Sequence, residues 1–360
     1  MSDNVIKFDR AEALVSANKL TEAAKLYRQI LAEKPKHLAA ARALAELIET
    51  GATPGDASAA RKTAIEIEIE SAYSVAKTAQ SHGSFDVAIR CYKKIFELDP
   101  KHGDAVWGLA EVLYGNDQTE EALRWYQRYA ELFPNDPEAA HMVAALGTGP
   151  KPARASDDYV RETFDQFAED FDRQLLEDLE YKAPKLIHAL FCALPRGGTF
   201  GLDILDAGCG TGLLGIEFKP YASTLTGVDL SSEMLRRAKD RRIYDVLVEM
   251  ELAAFMRGRI AMFDLIVAAD VFCYIGDLTE ALDAARIALK PGGCLLFTVE
   301  AQSKRGYTLT GSGRYAHKPA YIRKVAQNAG LQEILARTES LRLEYGEPVK
   351  GYVTALQKPI

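Results

Sequence analysis

A glycine-rich turn is the clearest chemical feature of this 360-residue sequence. Residues 205–215 read LDAGCGTGLLG and follow a short apolar run, which predicts a strand, a tight loop and a helix. Two patterns overlap in the loop, GxGxG starting at Gly208 and GxGxxG starting at Gly210. Such loops bring backbone N–H groups close to a nucleotide, because glycine has no side chain to block the approach. The glycines alone leave the kind of nucleotide open.

Two acidic residues restrict the kind of nucleotide. Asp206 lies two residues before Gly208, the first of these glycines. A carboxylate at this position would crowd a pyrophosphate but suits the ammonium of a methionyl group. Asp229 ends a second predicted strand, at residues 224–229, where its carboxylate can accept both hydroxyls of a ribose. Asp206 therefore argues against a dinucleotide, whereas Asp229 suits either kind of cofactor.

Two later segments extend the alternation of strands and helices. Residues 263–271 predict a third buried strand with Asp270 at its carboxyl end, and the turn LKPGG at 289–293 leads into the strand CLLFTVE. The segments LDAGCGTG, GVDLSSEML, DLIVAADVFCYI and LKPGG together closely resemble the class I S-adenosylmethionine-dependent methyltransferases, over residues 157–360. The resemblance implies a Rossmann-like domain that uses S-adenosyl-L-methionine and releases S-adenosyl-L-homocysteine.

The resemblance also implies which residues bind this cofactor. We expect the methionyl part at Asp206, Gly208, Cys209 and Gly210, the ribose at Asp229 and Leu230, the adenine at Met234, Glu251 and Leu252, and the mouth of the pocket at Asp270 and Val271. Cys209 could also act as a nucleophile, but the sequence around it holds no histidine, and packing of the loop needs a small residue there.

Two segments near the carboxyl end are candidates for the methyl-acceptor side. Residues 308–319 read TLTGSGRYAHKP, in which Arg314 could clamp an anion, Tyr315 could form an aromatic wall and His317 could act as a base. The alternative for this segment is a surface turn before a helix. In residues 341–351, Arg342 and Glu344 alternate along a predicted strand, and the favoured interpretation is a cross-strand ion pair.

The first 150 residues predict an all-α unit of repeats. Residues 20–35, 84–100 and 118–134 share a small residue, an aromatic residue four positions later, an apolar or aromatic residue after three more, and a final proline. Pro100 and Pro134 are 34 residues apart, which is the period of the tetratricopeptide repeat, and the region resembles that family. The alternative is a generic helical bundle. Between the first two copies, an eroded repeat with an irregular loop at residues 48–57 fits best.

The predicted fold is therefore α + α/β. We expect a tetratricopeptide-like domain at residues 1–148, a linker at 149–156 and the methyltransferase domain at 157–360. Residues 159–181 resemble bacterial proteins that join such repeats to such a domain. Aromatic residues recur on one helical face of segment 157–184, which is either a packed core helix or a lid over the cofactor.

Composition restricts the partners. The net charge of −7 and the acidic balance of both halves argue against nucleic acid, and the basic run at 236–242 is expected to be a solvated face. No apolar run is long enough for a membrane span, so we expect a cytoplasmic protein, and five scattered cysteines predict no metal site. The repeats predict a protein or peptide partner, with assembly into a homodimer as the alternative.

The predicted function is methyl transfer from S-adenosylmethionine to a protein or a small metabolite. Methyl transfer from a sulfonium requires positioning and a dry pocket rather than a dedicated catalytic group, so the acceptor cannot be read from the motifs. The main alternative is an interaction scaffold whose nucleotide domain binds cofactor but is catalytically idle. A dehydrogenase is a more distant alternative.

Overall fold

The computed structural model describes residues 3–169, 171–173, 175, 179–195, 197–344 and 347–360. They form two compact units, Met1–Leu132 and Phe133–Ile360. The first unit is helical and the second contains a mixed sheet, which confirms the predicted α + α/β class. Within the described ranges, no helix is both long and apolar enough to cross a membrane.

The first unit is built from helices that pack against their neighbours in sequence. They are α1 (Asp3–Ser16), α2 (Leu20–Glu33), α3 (Leu38–Glu49), α4 (Ala57–Ser81), α5 (Phe85–Leu98), α6 (Gly103–Gly115) and α7 (Thr119–Leu132). The three sequence copies form α2, α5 and α7, and each buries the alanine and the tyrosine of the pattern. The periodicity read from the sequence thus corresponds to one buried face on each helix.

The irregular middle of the repeat region is a loop followed by one long helix. Helix α3 ends at Glu49, and α4 begins at Ala57 and runs for 25 residues. The Asp56 carboxylate accepts a hydrogen bond from the backbone N–H of Ala59 at 3.1 Å, which caps the start of α4. The predicted irregular loop at residues 48–57 therefore corresponds to the connection between the end of α3 and the capped start of α4.

The hairpin of α5 and α6 is packed closely enough to require a glycine. The ring of Tyr92 lies against Gly108, and a Cβ atom added there would lie 2.6 Å from Cζ of the ring. Tyr92 is fully buried, and its hydroxyl donates a hydrogen bond to Gln80 at 2.8 Å. The tyrosine cannot withdraw without losing this bond, so the space at residue 108 is fixed.

We predict that Gly108→Ala destabilises the first unit by about 1–3 kcal/mol through overpacking. Trp107 and Trp125 are the two tryptophans of the chain and both lie in this unit, so their fluorescence during urea unfolding reports on it alone. The control is Gly149→Ala, whose added Cβ would meet nothing within 4 Å. An unchanged unfolding midpoint for Gly108→Ala would show that α5 and α6 are less tightly packed than described.

The second unit alternates helices with the strands of one sheet. Its helices are α8 (Pro137–Leu146), α9 (Asp157–Phe167), α10 (Phe171–Arg173), α11 (Ala183–Cys192), α12 (Leu213–Phe218), α13 (Ser232–Asp240), α14 (Leu252–Arg257), α15 (Thr279–Ala288) and α16 (Pro319–Asn328). Its strands are β1 (Leu202–Ala207), β2 (Ala222–Asp229), β3 (Val246–Glu249), β4 (Phe263–Ala268), β5 (Leu289–Ala301), β6 (Tyr307–Leu309), β7 (Tyr315–His317), β8 (Gln332–Glu344) and β9 (Glu347–Gln357).

The centre of the sheet is parallel, in the order β3-β2-β1-β4-β5. Neighbouring residues of β1 belong to different apolar clusters, since Ile204 packs with Leu190 and Phe218 whereas Leu205 packs with Phe255 and Phe297. Successive side chains of a strand point to opposite faces, so the sheet is covered on both sides. This arrangement leaves the carboxyl ends of the parallel strands as the place for a ligand.

Strand β5 links the parallel strands to the rest of the sheet. One of its edges pairs with β4, and residues 294–300 on the other edge pair with antiparallel β9, which in turn pairs with β8. The hairpin of β6 and β7 joins β5 at Glu300 and Ala301, beyond the end of β4. The predicted LKPGG turn is part of β5, where the pairing with β4 shifts register. The hairpin and β8 therefore both approach the carboxyl end of β4.

The compact units divide at Leu132, whereas the sequence places the domain boundary at residue 148. The difference is α8, which packs on α9. The His141 ring stacks on Tyr159 with centroids 4.3 Å apart, and its Nε2 forms a hydrogen bond with the carbonyl oxygen of Gly313 at 2.7 Å. By its contacts, α8 belongs to the second unit, and the boundary at 148 stays a prediction.

Candidate active site

A cleft opens at the carboxyl ends of β1, β2 and β4. The residue directly after each of these strands lines it, namely Gly208, Leu230 and Ala269. It holds about 960 Å³ of empty space, including open solvent at its mouth. Most residues expected to contact the cofactor line this cleft: Gly208, Gly210, Asp229, Leu230, Glu251, Leu252, Asp270 and Val271.

The glycine loop has a conformation and a packing that side chains would prevent. Gly208 and Gly210 have φ angles of +70° and +51°, in the region that favours glycine. A Cβ atom on Gly208 would lie 2.4 Å from Cγ2 of Val271, which follows β4. The loop is thus pressed against the next wall of the cleft, and its backbone is exposed to whatever the cleft binds.

Asp229 is held at the base of the cleft by backbone N–H groups. Its Oδ2 accepts a hydrogen bond from Gly210 at 2.8 Å and its Oδ1 accepts one from Ser231 at 2.9 Å. Burial raises the pKa of Asp229, and the N–H groups oppose part of that rise. The carboxylate oxygens keep lone pairs beyond these two bonds, so the geometry suits a pair of ribose hydroxyls.

Asp206 lies beneath the glycine loop and not on the cleft surface formed by the described residues. Tyr244 donates a hydrogen bond to its Oδ2 at 2.6 Å, while its Oδ1 lacks a hydrogen bond of normal geometry among the described residues. Burial raises the pKa of Asp206 to about 7, with Asp229 adding to the rise and the Tyr244 bond opposing it. An ammonium within reach would satisfy this carboxylate, but Asp206 does not line the cleft, so its role at the methionyl group stays a prediction.

Two other expected cofactor residues are placed differently from the expectation. Cys209 is buried behind the loop, and burial raises the pKa of its thiol well above the usual range, which favours the packing role over the nucleophile role. Met234 is fully buried in α13 and does not line the cleft, and its backbone N–H donates to the capping Ser231 hydroxyl at 3.0 Å. Met250 lines the cleft near the expected adenine position.

Glu251 and Leu252 occupy the start of α14 and both line the cleft. The Glu251 carboxylate accepts a hydrogen bond from the backbone N–H of Ala254 at 2.8 Å and so caps the helix. The cap places Glu251 directly before the first turn of α14. Glu251 retains acceptor capacity for an exocyclic amine.

Helix α9 covers the cleft with its aromatic face. Val160, Phe164 and Phe171 line the cleft, and the rings of Phe164 and Phe171 lie 5.9 Å apart in an edge-on arrangement. Asp165 of α9 accepts hydrogen bonds from the Ser231 hydroxyl and, at 3.4 Å, from the N–H of Glu233. Of the predicted aromatic stripe, Phe164 and Phe171 therefore line the cleft, whereas Tyr159 stacks on His141 and Phe167 is exposed. Residues 170, 174 and 176–178 of the predicted lid lie outside the described residues.

A second polar contact holds the segment after α9. The Asp172 carboxylate accepts a hydrogen bond from Thr211 of the glycine loop at 2.5 Å and forms an ion pair with Arg241. Arg241 also donates to the carbonyl oxygen of Thr211 at 2.5 Å. Within the basic run 236–242, Arg241 therefore binds other parts of the same unit, whereas Arg236 pairs with Glu233 on the same helix.

Asp270 is fixed at the other end of the cleft in an unusual backbone conformation. Its φ of +53° is rare for a residue with a side chain. The Thr298 hydroxyl accepts from the Asp270 N–H at 2.9 Å and donates to its Oδ1 at 3.0 Å, while Arg342 donates to its Oδ2 at 3.0 Å. These bonds hold the strained residue in place and leave its two carboxylate oxygens engaged.

Arg314 and Arg342 both line this end, together with Tyr181 and Tyr274. The Arg342 side chain is only 1% exposed and pairs with Glu300 as well as Asp270. Arg342 also lies 3.5 Å from Glu344, but both residues belong to β8, so the cross-strand partner of Arg342 is Glu300 on β5. The cleft thus has a carboxylate end at Asp229 and Glu251 and a guanidinium end at Arg314 and Arg342.

The structure brings Arg314 to the cleft but not the other two expected acceptor-side residues. Tyr315 is fully buried, and its hydroxyl donates to the carbonyl oxygen of Pro152 at 2.9 Å. His317 is fully buried, and its Nε2 pairs with the carbonyl oxygen of Gly276 at 3.0 Å. Burial lowers the pKa of His317 to about 4. Both side chains stabilise the β6–β7 hairpin, so neither is placed to act as a wall or a base for the acceptor.

Three family models match the chain. One described as a methyltransferase domain matches residues 205–295, and two described as tetratricopeptide repeats match residues 8–69 and 79–146. The chain therefore combines a methyltransferase domain with N-terminal tetratricopeptide repeats. The family, the fold class and the methyl donor predicted from the sequence are confirmed.

Curated relatives of this methyltransferase carry the names of O-methyltransferases. A ubiquinone biosynthesis O-methyltransferase from Idiomarina loihiensis is 26% identical over 194 residues, which are 45% of this chain and 77% of that protein. A malonyl-[acyl-carrier protein] O-methyltransferase from Salmonella typhimurium is 32% identical over 100 residues, 28% of this chain and 39% of that protein. Since the shared part varies so widely, the acceptors of these relatives do not carry over directly.

A solved structure similar to this methyltransferase is the N-methyltransferase NodS from Bradyrhizobium japonicum in complex with S-adenosyl-L-homocysteine. The sequence identity is 20%, the TM-score is 0.46, and the alignment covers 56% of this chain and 99% of that one. A TM-score of this size is too low to support a conclusion about site or function.

Several cleft residues of the methyltransferase were not singled out from the sequence. Arg154 and Tyr274 line the cleft near the isolated bridge between Arg154 and Ile275, and Tyr181 lines it from the segment before α11. The fragment FCYI of the third motif could have pointed to Tyr274, because that motif follows β4 directly. Tyr181 ends the segment 159–181 noted in the sequence, whereas the sequence around Arg154 carries no comparable signal, since a long-range bridge to Ile275 brings it to the cleft.

We predict that Asp229→Asn weakens binding of S-adenosyl-L-homocysteine about 10- to 100-fold, because a charged acceptor of ribose hydroxyls becomes a neutral one. Isothermal titration calorimetry on the full chain measures the change. The matched control is Asp283→Asn on the exposed side of α15, which should leave the affinity unchanged. Equal affinity of Asp229→Asn and the wild type would remove Asp229 from the cofactor site.

We predict that Asp206 makes the second unit less stable as pH rises from about 4 to about 7. The folded-state pKa of about 7 exceeds the ordinary value of 3.8, so the folded protein holds this proton more tightly and loses that advantage as the group ionises. The free energy of unfolding of Asp206→Asn, minus that of the wild type, should therefore grow with pH in this window, by up to about 4 kcal/mol.

Hydrogen exchange of peptides from β1 and β4, followed by mass spectrometry between about pH 4 and 7, measures this difference within the second unit. The control Asp283→Asn should follow the wild type at every pH. A difference between Asp206→Asn and the wild type that stays constant with pH would mean that Asp206 is ionised throughout in the fold.

Proposed function

We propose that this methyltransferase transfers the methyl group of S-adenosylmethionine to an oxygen atom of a small acceptor bound at the guanidinium end of the cleft. The observation that carries the proposal is the division of one cleft into two polar ends. Asp229 and Glu251 suit the ribose and adenine of the donor, and Arg314 lies at the opposite end. The names of the two curated relatives, both O-methyltransferases, support oxygen as the acceptor atom.

The cover formed by α9 supports a small acceptor. Phe164 contacts both Phe171 and Tyr274, with ring centroids 5.9 Å and 5.5 Å apart, so aromatic rings lie between the acceptor end and solvent. A bulky folded acceptor would have to displace these rings. A metabolite, or a slender group carried by a larger molecule, can enter without displacing them.

The chain's own residues contribute positioning and water exclusion to the reaction. Methyl transfer from a sulfonium is an in-line displacement in which a positive charge disappears, so an enclosed and correctly oriented pocket supplies most of the acceleration. The Tyr181 and Tyr274 hydroxyls have pKa values raised by burial, so at neutral pH they act as hydrogen-bond donors and not as bases.

The repeats of the first unit give the chain a capacity for protein interaction. We propose that this unit binds a protein or peptide partner, because stacked helical repeats form extended concave surfaces. Self-association through the repeats is the competing role. Light scattering of the purified chain separates the two, since a homodimer doubles the measured mass in the absence of any other protein.

We predict that the full chain binds S-adenosyl-L-homocysteine with micromolar affinity and does not bind NADH at comparable concentrations in the same calorimeter. The carboxylate of Asp206 beneath the loop opposes a pyrophosphate and accounts for the selectivity. Incubation with S-adenosylmethionine and a low-molecular-weight metabolite extract should release S-adenosyl-L-homocysteine, and Asp229→Asn should release far less. Tight binding without any turnover would favour the idle scaffold, and tight NADH binding would favour a dehydrogenase.

A further inference from the structure

The guanidinium end of the cleft contains one arginine that is fully engaged and one that is not. Arg342 donates to Asp270 at 3.0 Å and to Glu300, and its side chain is almost completely buried. Arg314 pairs with the same Glu300 at 3.7 Å, a distance longer than a hydrogen bond. The two arginines thus share one carboxylate, and Arg342 has the closer contact.

The remaining contacts of Arg314 leave room for a ligand. It lies near the Tyr274 oxygen, and 26% of its side chain is exposed where it lines the cleft. A guanidinium carries five N–H donors in a planar fork that matches a carboxylate. An anion entering from the cleft would find donors that no close carboxylate of the described residues occupies.

The charges near Arg314 permit an additional anion. The two arginines balance Asp270 and Glu300, which are the buried carboxylates of this cluster. Glu344 adds a further negative charge, but its side chain is 33% exposed and solvent screens it more strongly. An incoming anion that contacts Arg314 is therefore attracted by that cation at short range. The carboxylates that would repel the anion lie farther away or are paired with Arg342.

The groups at this end are poorly suited to removing a proton from the acceptor. Both oxygens of Asp270 are engaged by Thr298 and Arg342, and His317 is buried away from the cleft. The phenols of Tyr181 and Tyr274 retain their protons at neutral pH. A carboxylate acceptor needs no base, because its oxygen already carries the lone pair and the charge that the displacement requires.

We propose that the acceptor is a carboxylic acid with an apolar or aromatic body, that Arg314 binds its carboxylate, and that the product is a methyl ester. This inference rests on the proposed function and specifies its substrate class. A carboxylate oxygen forms a bond to the methyl carbon while the carbon–sulfur bond breaks, so the sulfonium becomes a thioether. The negative charge of the acid and the positive charge of the donor are both lost, and no proton moves.

Phe164 and Tyr274 define the body of this acid. Their rings are 5.5 Å apart and nearly perpendicular, and both line the cleft beside Arg314. Aromatic walls of this kind favour an apolar or planar group through burial and edge contacts. Arg342 acts as a positioning residue, because it holds Glu300 and Asp270 in place and does not offer its own donors.

The test uses the full chain, S-adenosylmethionine labelled with tritium in the methyl group, and two sources of acceptor. One is a low-molecular-weight metabolite extract of the source organism, and the other is a defined set of aliphatic and aromatic carboxylic acids with their primary amides. Label in a methyl ester is released as volatile methanol by mild alkali, whereas label in an ether or on nitrogen is retained. The chemical class of the product is thus read without knowing the acceptor.

We expect alkali-labile label from the extract, and within the defined set label on acids but not on amides. Arg314→Gln should lower the labelling rate about 10- to 100-fold, as expected for loss of a charged hydrogen-bonding partner, and Arg314→Lys should restore part of it. Both variants should bind S-adenosyl-L-homocysteine within about twofold of the wild type. The control Arg257→Gln replaces an exposed arginine that pairs with Glu280 and should label like the wild type.

Alkali-stable label from the wild type would overturn the carboxylate acceptor while leaving methyl transfer intact. Undiminished labelling by Arg314→Gln would overturn the role of this residue. If the wild type transfers no label from either source, or does not bind S-adenosyl-L-homocysteine, the proposed function itself fails. Cofactor affinity and alkali lability therefore separate failure of the activity from failure of the substrate class.

Discussion

The Asp229 carboxylate, bound by the backbone N–H groups of Gly210 and Ser231, is the contact on which the site depends. It ties the loop after β1 to the loop after β2, so the two walls of the donor pocket keep one spacing. Burial makes this carboxylate costly to ionise, and the N–H groups offset part of that cost. The same loop also holds α9, since the Ser231 hydroxyl donates a hydrogen bond to Asp165 of that helix.

The second end of the cleft is built on a different principle. Arg342 on β8 reaches Asp270 after β4 and Glu300 on β5, so three strands distant in sequence supply one buried ionic cluster. Removing one member of such a cluster leaves an uncompensated charge in a region of low polarity. The cluster therefore fixes the relative position of β8 and the carboxyl end of β4. It holds Arg314 beside the cleft without saturating it, which is the property on which the proposed acceptor site rests.

The sequence predicted well what depends on local order. The glycine pattern, the acids at the ends of β1, β2 and β4, and the aromatic stripe of α9 are all set by neighbours within a few residues, and the structure brings most of them to one cleft. It predicted less well what depends on pairing. Arg314, Tyr315 and His317 are close in sequence, but successive residues of an extended segment face opposite sides, so Arg314 meets the cleft while the other two enter the core. Arg154 and Arg342 reach the cleft only through long-range contacts with Ile275 and Asp270, which no local pattern indicates.

The guanidinium end has a consequence for the reaction cycle under the proposed function. Before transfer, a sulfonium and the Arg314 cation would share one enclosed cleft, and their repulsion is strong where water is excluded. An anionic acceptor relieves this repulsion, so donor and acceptor favour each other's binding. After transfer the ester and the thioether are both neutral. The interaction that held the acid to Arg314 is then lost, and the same residue that recruits the substrate favours release of the product.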